Sequence, residues 1–149
     1  MKQSNRLTIE MVITSSNAYP DRAKSPELTK EVRSNIQRLV QAVNQLLDHL
    51  KWQVPITVSS GFRTTQSNAK IANAAAKSLH TLGLAVDIMQ PKNNNALAQA
   101  IRQAQAKDKI LTKLGLWMED PQFTVGKNTS WVHLDLGTRA DRPSREFKP

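Results

Sequence analysis

The chain carries, from residue 78 to residue 88, the stretch SLHTLGLAVDI. In the second half of this stretch, apolar residues alternate with Ala85 and Asp87. Because successive side chains of a strand point to opposite faces, the alternation predicts a strand whose apolar face lies on a core. Asp87 would lie on the other face, and His80 precedes it by seven positions. The stretch therefore predicts a strand that presents a polar group to a cleft.

A second stretch, from residue 131 to residue 136, has the sequence WVHLDL and the same alternation. Its valine and leucines would face the core, while His133 shares the opposite face with Trp131 and Asp135. Two imidazoles and a carboxylate, with a fourth position open for water, are the ligand set of a catalytic zinc site. His80, Asp87 and His133 are thus candidate ligands. On spacing alone, the alternative is a buried histidine that is hydrogen-bonded to a neighbour.

The surrounding pattern predicts an α+β fold with a small, mainly antiparallel sheet and helices packed on one side. Ser25 and Pro26 are typical of a helix start, and apolar residues at three- and four-residue steps continue to residue 50. We predict one domain over residues 1–137 and a loosely held basic tail over residues 138–149. Further helices are predicted over residues 66–76, 95–106 and 110–114, and strands over residues 56–59, 84–88, 116–119 and 131–136.

The composition excludes several kinds of site and leaves the partner open. The chain has 149 residues and no cysteine, which excludes disulfide scaffolds, thiolate zinc sites and cysteine nucleophiles. Its formal net charge of +9 indicates nucleic acid, an anionic cell envelope or a solvated basic surface. The basic start of the chain is followed by only a short apolar stretch that Glu10 interrupts. We therefore expect synthesis in the cytoplasm without a signal peptide.

Three ordered motifs resemble one family of enzymes. Residues 78–88 fit S-x-H-x-x-G-x-A-x-D-I, residues 60–64 (SGFRT) fit S-G-Y/F-R-S/T, and residues 131–133 fit W-x-H. These motifs resemble those of zinc D-Ala-D-Ala carboxypeptidases and L-alanyl-D-glutamate endopeptidases, which share a fold with lysostaphin-type enzymes and the hedgehog signalling domain. The LWMEDP stretch at residues 116–121 is similar to the small phage and bacterial members.

The resemblance implies roles for particular residues. His80, Asp87 and His133 would be the ligands of one zinc ion. Arg63 would hold the substrate carbonyl or carboxylate and stabilise the developing oxyanion, and Ser78 would contact the substrate near the metal.

Trp131 is a further candidate for the wall of the cleft. Its position on the predicted strand suits contact with substrate, and packing in the core is the alternative interpretation.

The chain departs from the family pattern at the general base. Many members carry a Glu or Asp three residues before the second histidine ligand, where this chain has Ser130. A serine cannot take a proton from water at neutral pH. Glu119, Asp120 and Asp135 are the possible substitutes, of which we favour Glu119, and Asp135 can instead orient a ligand.

The sequence thus predicts a zinc metallopeptidase that hydrolyses a peptide bond in bacterial peptidoglycan, as a carboxypeptidase or an endopeptidase. The expected partners are a peptidoglycan peptide and the anionic envelope, without specific nucleic acid, and the chain is expected to be a monomer. It would act at the cell wall, with a phage endolysin as one setting. The alternative is a non-catalytic, zinc-stabilised binding module on the same fold, and a basic nucleic-acid binder is a third hypothesis.

Overall fold

The structure is a computed structural model that describes residues 3–14, 20–71, 78–91 and 95–149. Within these residues, six strands form one sheet in the order β1-β2-β3-β5-β4-β6. Neighbouring strands are antiparallel except β4 and β6, which are parallel. The strands are β1 (Gln3–Ser4), β2 (Ile56–Ser60), β3 (Ala85–Pro91), β4 (Trp117–Glu119), β5 (Thr129–Asp135) and β6 (Glu146–Phe147).

The helices of the described residues complete an α+β fold and confirm the predicted class. None of them is both long enough and apolar enough to span a membrane. The helices are α1 (Ile9–Ile13), α2 (Lys30–His49), α3 (Thr65–Ala69), α4 (Ala96–Asp108) and α5 (Ile110–Leu114).

The start of α2 differs from the prediction. The helix begins at Lys30, and its N-cap is Thr29, whose hydroxyl accepts a hydrogen bond from the backbone N–H of Val32. Ser25 instead closes a separate turn, in which its hydroxyl accepts from Glu27 N and its carbonyl from Leu28 N. Both residues are good N-caps, so the local pattern does not distinguish them.

The remaining elements follow the predicted pattern with shifted ends. Strand β3 extends to Pro91, and α4 begins one residue later and ends two residues later than predicted. The last short helix ends at Gly115, which adopts the left-handed conformation (φ 73°) that favours glycine. Of the helix predicted over residues 66–76, the structure describes α3, and residues 72–77 lie outside the described residues.

The core lies on one face of the sheet, beneath α2 and its neighbours. Ile36, Leu39 and Leu46 of α2 are fully buried, and they belong to the same apolar cluster as Ile88 of β3 and Leu134 of β5. Alternation along the strands therefore directs the polar residues of β3 and β5 to the opposite face.

The segment over residues 138–149 contributes a strand that the sequence pattern does not predict. Strand β6 pairs with β4, where Met118 lies opposite Glu146 and Glu119 opposite Phe147. Polar contacts help to hold β6 in place. The Arg102 guanidinium donates hydrogen bonds from two nitrogens to the Glu146 carboxylate. The division at residue 137 stays a prediction.

Candidate metal centre

The structure brings His80, Asp87 and His133 together on the face of the sheet opposite the core. Asp87 of β3 lies directly opposite His133 of β5 in the antiparallel register. His80 lies in a 3₁₀ turn, Leu79–Leu82, that Gly83 ends in the left-handed conformation (φ 72°) just before β3. One ligand atom from each of the three side chains lies within 4.8 Å of the others.

The distances between these atoms suit a small divalent cation. His80 Nε2 lies 3.4 Å from Asp87 Oδ2, and His133 Nδ1 lies 2.8 Å from Asp87 Oδ1. Ligand atoms of a tetrahedral zinc ion with bonds of about 2.1 Å lie about 3.4 Å apart. The two imidazoles and one carboxylate therefore fit zinc in donor type, and the His80–Asp87 distance fits it in spacing, while the shorter His133–Asp87 distance is that of a hydrogen bond.

The His80 nitrogen that points away from Asp87 is held by a backbone carbonyl. Its Nδ1–H donates to the Gly61 carbonyl over 2.9 Å, which leaves Nε2 to face Asp87. Gly61 packs directly on α1, and a β-carbon at this position would collide with the backbone of Val12. The lack of a side chain therefore lets the backbone at Gly61 lie against α1, with its carbonyl within hydrogen-bond distance of His80 Nδ1.

The His133 nitrogen that points away from Asp87 is held by the carboxylate of Asp135. His133 Nε2–H donates to Asp135 Oδ2 over 2.7 Å, which leaves Nδ1 to face Asp87. Asp135 is fully buried and also accepts hydrogen bonds from Gly137 N and from the Arg139 guanidinium. A carboxylate on the second nitrogen of a ligating histidine fixes the tautomer and the ring orientation. Each imidazole therefore presents one defined nitrogen to the cluster.

The buried charges stabilise one another. Burial alone would raise the pKa of Asp87, but the charges and hydrogen bonds of His80 and His133 outweigh it and hold the pKa well below its ordinary value. Burial likewise opposes ionisation of Asp135, yet hydrogen bonds from His133 and Arg139 lower its pKa to about 2. Both carboxylates are therefore ionised at neutral pH. A carboxylate that binds a metal, as Asp87 would, must be in this form.

Glu119, one of the three candidate bases, lies on the same face of the sheet as the candidate ligands Asp87 and His133. Trp117 and Met118 of β4 pair with Asp135 and Leu134, so the register continued by one residue places Glu119 opposite His133. Burial raises the pKa of Glu119, with a further increase from the charges of Asp87 and Asp135 and an opposing effect of His133.

The structure does not bring Asp120 to this face. The Asp120 carboxylate accepts from Gln122 N over 3.0 Å and lies 3.5 Å from the Arg102 guanidinium of α4. Strand β4 ends at Glu119, and Asp120 caps the 3₁₀ turn that follows, which separates its carboxylate from that of Glu119. Asp135 is close to the cluster, but its oxygens are already occupied by the donors named above.

Arg63 reaches the cluster from the loop after β2. Its Nη2 lies 3.8 Å from Asp87 Oδ2, while Nε donates to Ser60 Oγ over 3.0 Å and Nη1 donates to Asn68 Oδ1 over 3.3 Å. Burial lowers the pKa of Arg63, and the charge of Asp87 partly offsets this effect. Ser60 belongs to the SGFRT motif and Asn68 follows it by four residues, but only the structure reveals that they hold the guanidinium.

A comparison with protein-family models identifies a family. The model described as Peptidase M15 matches residues 5–135, which include the whole cluster and Glu119. The chain belongs to the Peptidase M15 family. Neither the curated proteins nor the solved structures with which the chain was compared give a match.

M15 membership agrees with the resemblance in the motifs and gives the chemistry in general terms. The family consists of zinc-dependent peptidases of the D-Ala-D-Ala carboxypeptidase type. This M15 chain is therefore a peptidase of the class that acts on peptidoglycan.

Ser130 stands in this M15 chain where many members carry the acidic base. It is buried and pairs with Gln90 of β3, on the side of β5 that carries the core residues Val132 and Leu134. Because a serine cannot take a proton from water at neutral pH, this position supplies no general base.

Ser78 and Trp131 lie at the edges of the site. The Ser78 hydroxyl caps the 3₁₀ turn by accepting from the backbone N–H of His80 over 3.2 Å. Trp131 is half-buried on the same face of β5 as His133. Their contact with substrate stays a prediction.

We expect zinc binding to this M15 cluster to release about one proton per ion near neutral pH. Burial lowers the pKa of His133, but hydrogen bonds to Asp135 and Asp87 outweigh burial and raise it to about 10. The metal-free ring is therefore cationic at neutral pH, and Nδ1 must lose its proton to become a ligand. Apparent zinc affinity should accordingly rise with pH up to that pKa.

Isothermal titration calorimetry in buffers of different ionisation enthalpy measures this proton release. Zinc binding with an enthalpy that does not depend on the buffer would contradict the prediction.

Two residues at the site carry no signal that the sequence analysis could use. Arg139 and Phe147 follow the last motif, in a segment without apolar periodicity, yet the Arg139 guanidinium contacts Asp135 and the Phe147 ring contacts His133. The basic composition of this segment predicts a loosely held tail, and it does not indicate contact with the site.

Proposed function

We propose that this chain is a zinc-dependent peptidase that hydrolyses a peptide bond in the stem peptides of bacterial peptidoglycan, with His80, Asp87 and His133 as the metal ligands. The observation that carries the proposal is the convergence of three donor atoms within 4.8 Å, each imidazole being anchored through its other nitrogen. When bound, zinc would supply a Lewis acid that polarises the scissile carbonyl and activates water.

Glu119 is the general base in this proposal. Its side chain shares the face of His133, and it is half-buried with a raised pKa. A carboxylate in such an environment is a stronger base than one in water. Glu119 would accept a proton from the attacking water and deliver it to the leaving amine.

Arg63 would act on the substrate oxygen. Two of its nitrogens are held by Ser60 and Asn68, so Nη2 is directed toward the cluster. A donor positioned in advance stabilises negative charge as it develops on the carbonyl oxygen, or binds a terminal carboxylate. Ser78 and Trp131 would complete the substrate site at its edges.

The setting that we propose is lysis or remodelling of the cell wall by a monomer of the phage endolysin type. The net charge of +9 favours accumulation at an anionic envelope. The similarity of residues 116–121 to the small phage and bacterial enzymes supports the same setting.

Digestion of purified peptidoglycan tests the proposal. The zinc-loaded chain should release soluble fragments, and a chelator should stop the release, with recovery after zinc is added back. Mass spectrometry of the fragments would identify the bond and distinguish a carboxypeptidase, which releases single residues, from an endopeptidase. A chain that binds zinc and peptidoglycan but releases nothing would contradict the proposal and favour the binding module.

A further inference from the structure

We propose that Arg139, stacked on Phe147, is a positioning residue for the metal centre: it holds Asp135, and Asp135 orients His133. The inference rests on the metal ligands of the proposed function, and it assigns a role to a segment beyond the residues that the family model matches. The contacts described below carry it.

The first contact joins Arg139 to Asp135. Arg139 Nη1 donates to Asp135 Oδ1 over 2.7 Å, and Nη2 donates to Oδ2 over 2.9 Å. Asp135 has no exposed surface, so Arg139 and His133 are the cationic partners that it contacts. A two-pronged pair of this kind fixes the plane of the carboxylate as well as its position.

The second and third contacts involve the Phe147 ring. The Arg139 guanidinium carbon lies 3.5 Å from the centre of this ring, and the ring meets His133 edge-to-face with centres 5.7 Å apart. Phe147 thus contacts both the arginine that holds Asp135 and the histidine that Asp135 orients.

Three further contacts attach the segment to the sheet. Asp120 N donates to the Phe147 carbonyl over 2.8 Å, and Met118 N donates to the Arg145 carbonyl over 3.0 Å. The Arg145 guanidinium lies 3.9 Å from the centre of the Trp117 ring. Phe147 is therefore fixed by backbone pairing, and it offers Arg139 a rigid surface.

The consequence is that the orientation of His133 depends on residues up to 14 positions after it. The imidazole can rotate about its side-chain bonds unless Nε2 has a fixed acceptor. Asp135 is a fixed acceptor only while the plane of its carboxylate is held. The two N–H donors of the Arg139 guanidinium hold that plane. Outer contacts to a metal-bound histidine change metal affinity by about 10- to 100-fold.

Zinc affinity of the metal-free chain, measured by competition with a chromogenic chelator, tests this role without any substrate. Arg139→Gln should weaken zinc binding by about 10- to 100-fold. Arg139→Lys, which keeps the charge but cannot bond both oxygens in the same way, should recover part of the affinity. Arg142→Gln is the matched control, because Arg142 is exposed in the same segment and its guanidinium donates to the Glu146 carbonyl, over 3.3 Å, and not to Asp135.

A double-mutant cycle separates positioning from a general loss of stability. In an Asp135→Asn background, Arg139→Gln should have little further effect on zinc affinity, since both changes break the same chain of contacts. If Arg139→Gln does not fold, Arg139→Lys carries the comparison with Arg142→Gln. Unchanged zinc affinity in a folded Arg139 variant would overturn the inference alone, whereas a wild-type chain that binds no zinc would overturn the proposed function as well.

Discussion

Replacing His80 or His133 with alanine is expected to abolish zinc binding and to reduce peptidoglycan cleavage by roughly 1,000-fold or more. Loss of one of three protein ligands leaves too few donors to hold the ion. Metal catalysis is worth several kcal/mol of transition-state stabilisation, and each 1.4 kcal/mol corresponds to a factor of ten in rate. Metal analysis of the purified variants and fragment release from peptidoglycan measure the two effects.

The third histidine of the chain provides the control for this prediction. His49 lies at the end of α2, where its Nε2 pairs with Asp108 over 2.9 Å at a partly exposed site. His49→Ala should therefore keep both zinc and activity. Equal losses in all three histidine variants would indicate a general effect on folding, and a zinc-loaded, active His133→Ala chain would refute the ligand assignment.

Glu119→Gln is expected to lower the rate of cleavage by about 100- to 10,000-fold, the usual contribution of a general base. The amide keeps the size and the polar character of the side chain but cannot accept the proton of the attacking water. Because Glu119 is not a ligand in the proposed centre, zinc content should be unchanged. The rate constant should fall while substrate affinity changes little.

Asp120→Asn is the matched control for the base. Its carboxylate is directed to Arg102 and to the backbone of Gln122, away from the metal cluster. The variant should retain most of the wild-type rate. A larger loss in Asp120→Asn than in Glu119→Gln would reverse the assignment, and full activity in both would indicate that neither residue is the base.

The local pattern of the sequence predicted the main strands, the long helix and the three residues of the metal cluster. Alternation along β3 and β5 directs Asp87 and His133 to the same face because side-chain direction on a strand has a period of two. The start of α2 was predicted incorrectly, since Ser25 and Thr29 have equivalent capping chemistry and packing selects between them.

The choice among the acids depends on how strands pair, which local pattern does not reveal. Glu119 and Asp120 are adjacent in sequence, so their distance from the second histidine motif does not distinguish them. The register of β4 on β5 places Glu119 opposite His133, and Asp120 is directed to α4. A shift of one residue in that register would exchange the two side chains.

Residue type and a repeat of two positions are enough to tell which chemical groups this protein can bring to a metal and on which side of each strand they lie. The packing of the folded chain brings Glu119 rather than Asp120 to the face of His133 and brings Arg139 and Phe147 into contact with Asp135 and His133. These relations join residues far apart along the chain, and strand register and long-range packing have no periodic signature in the sequence.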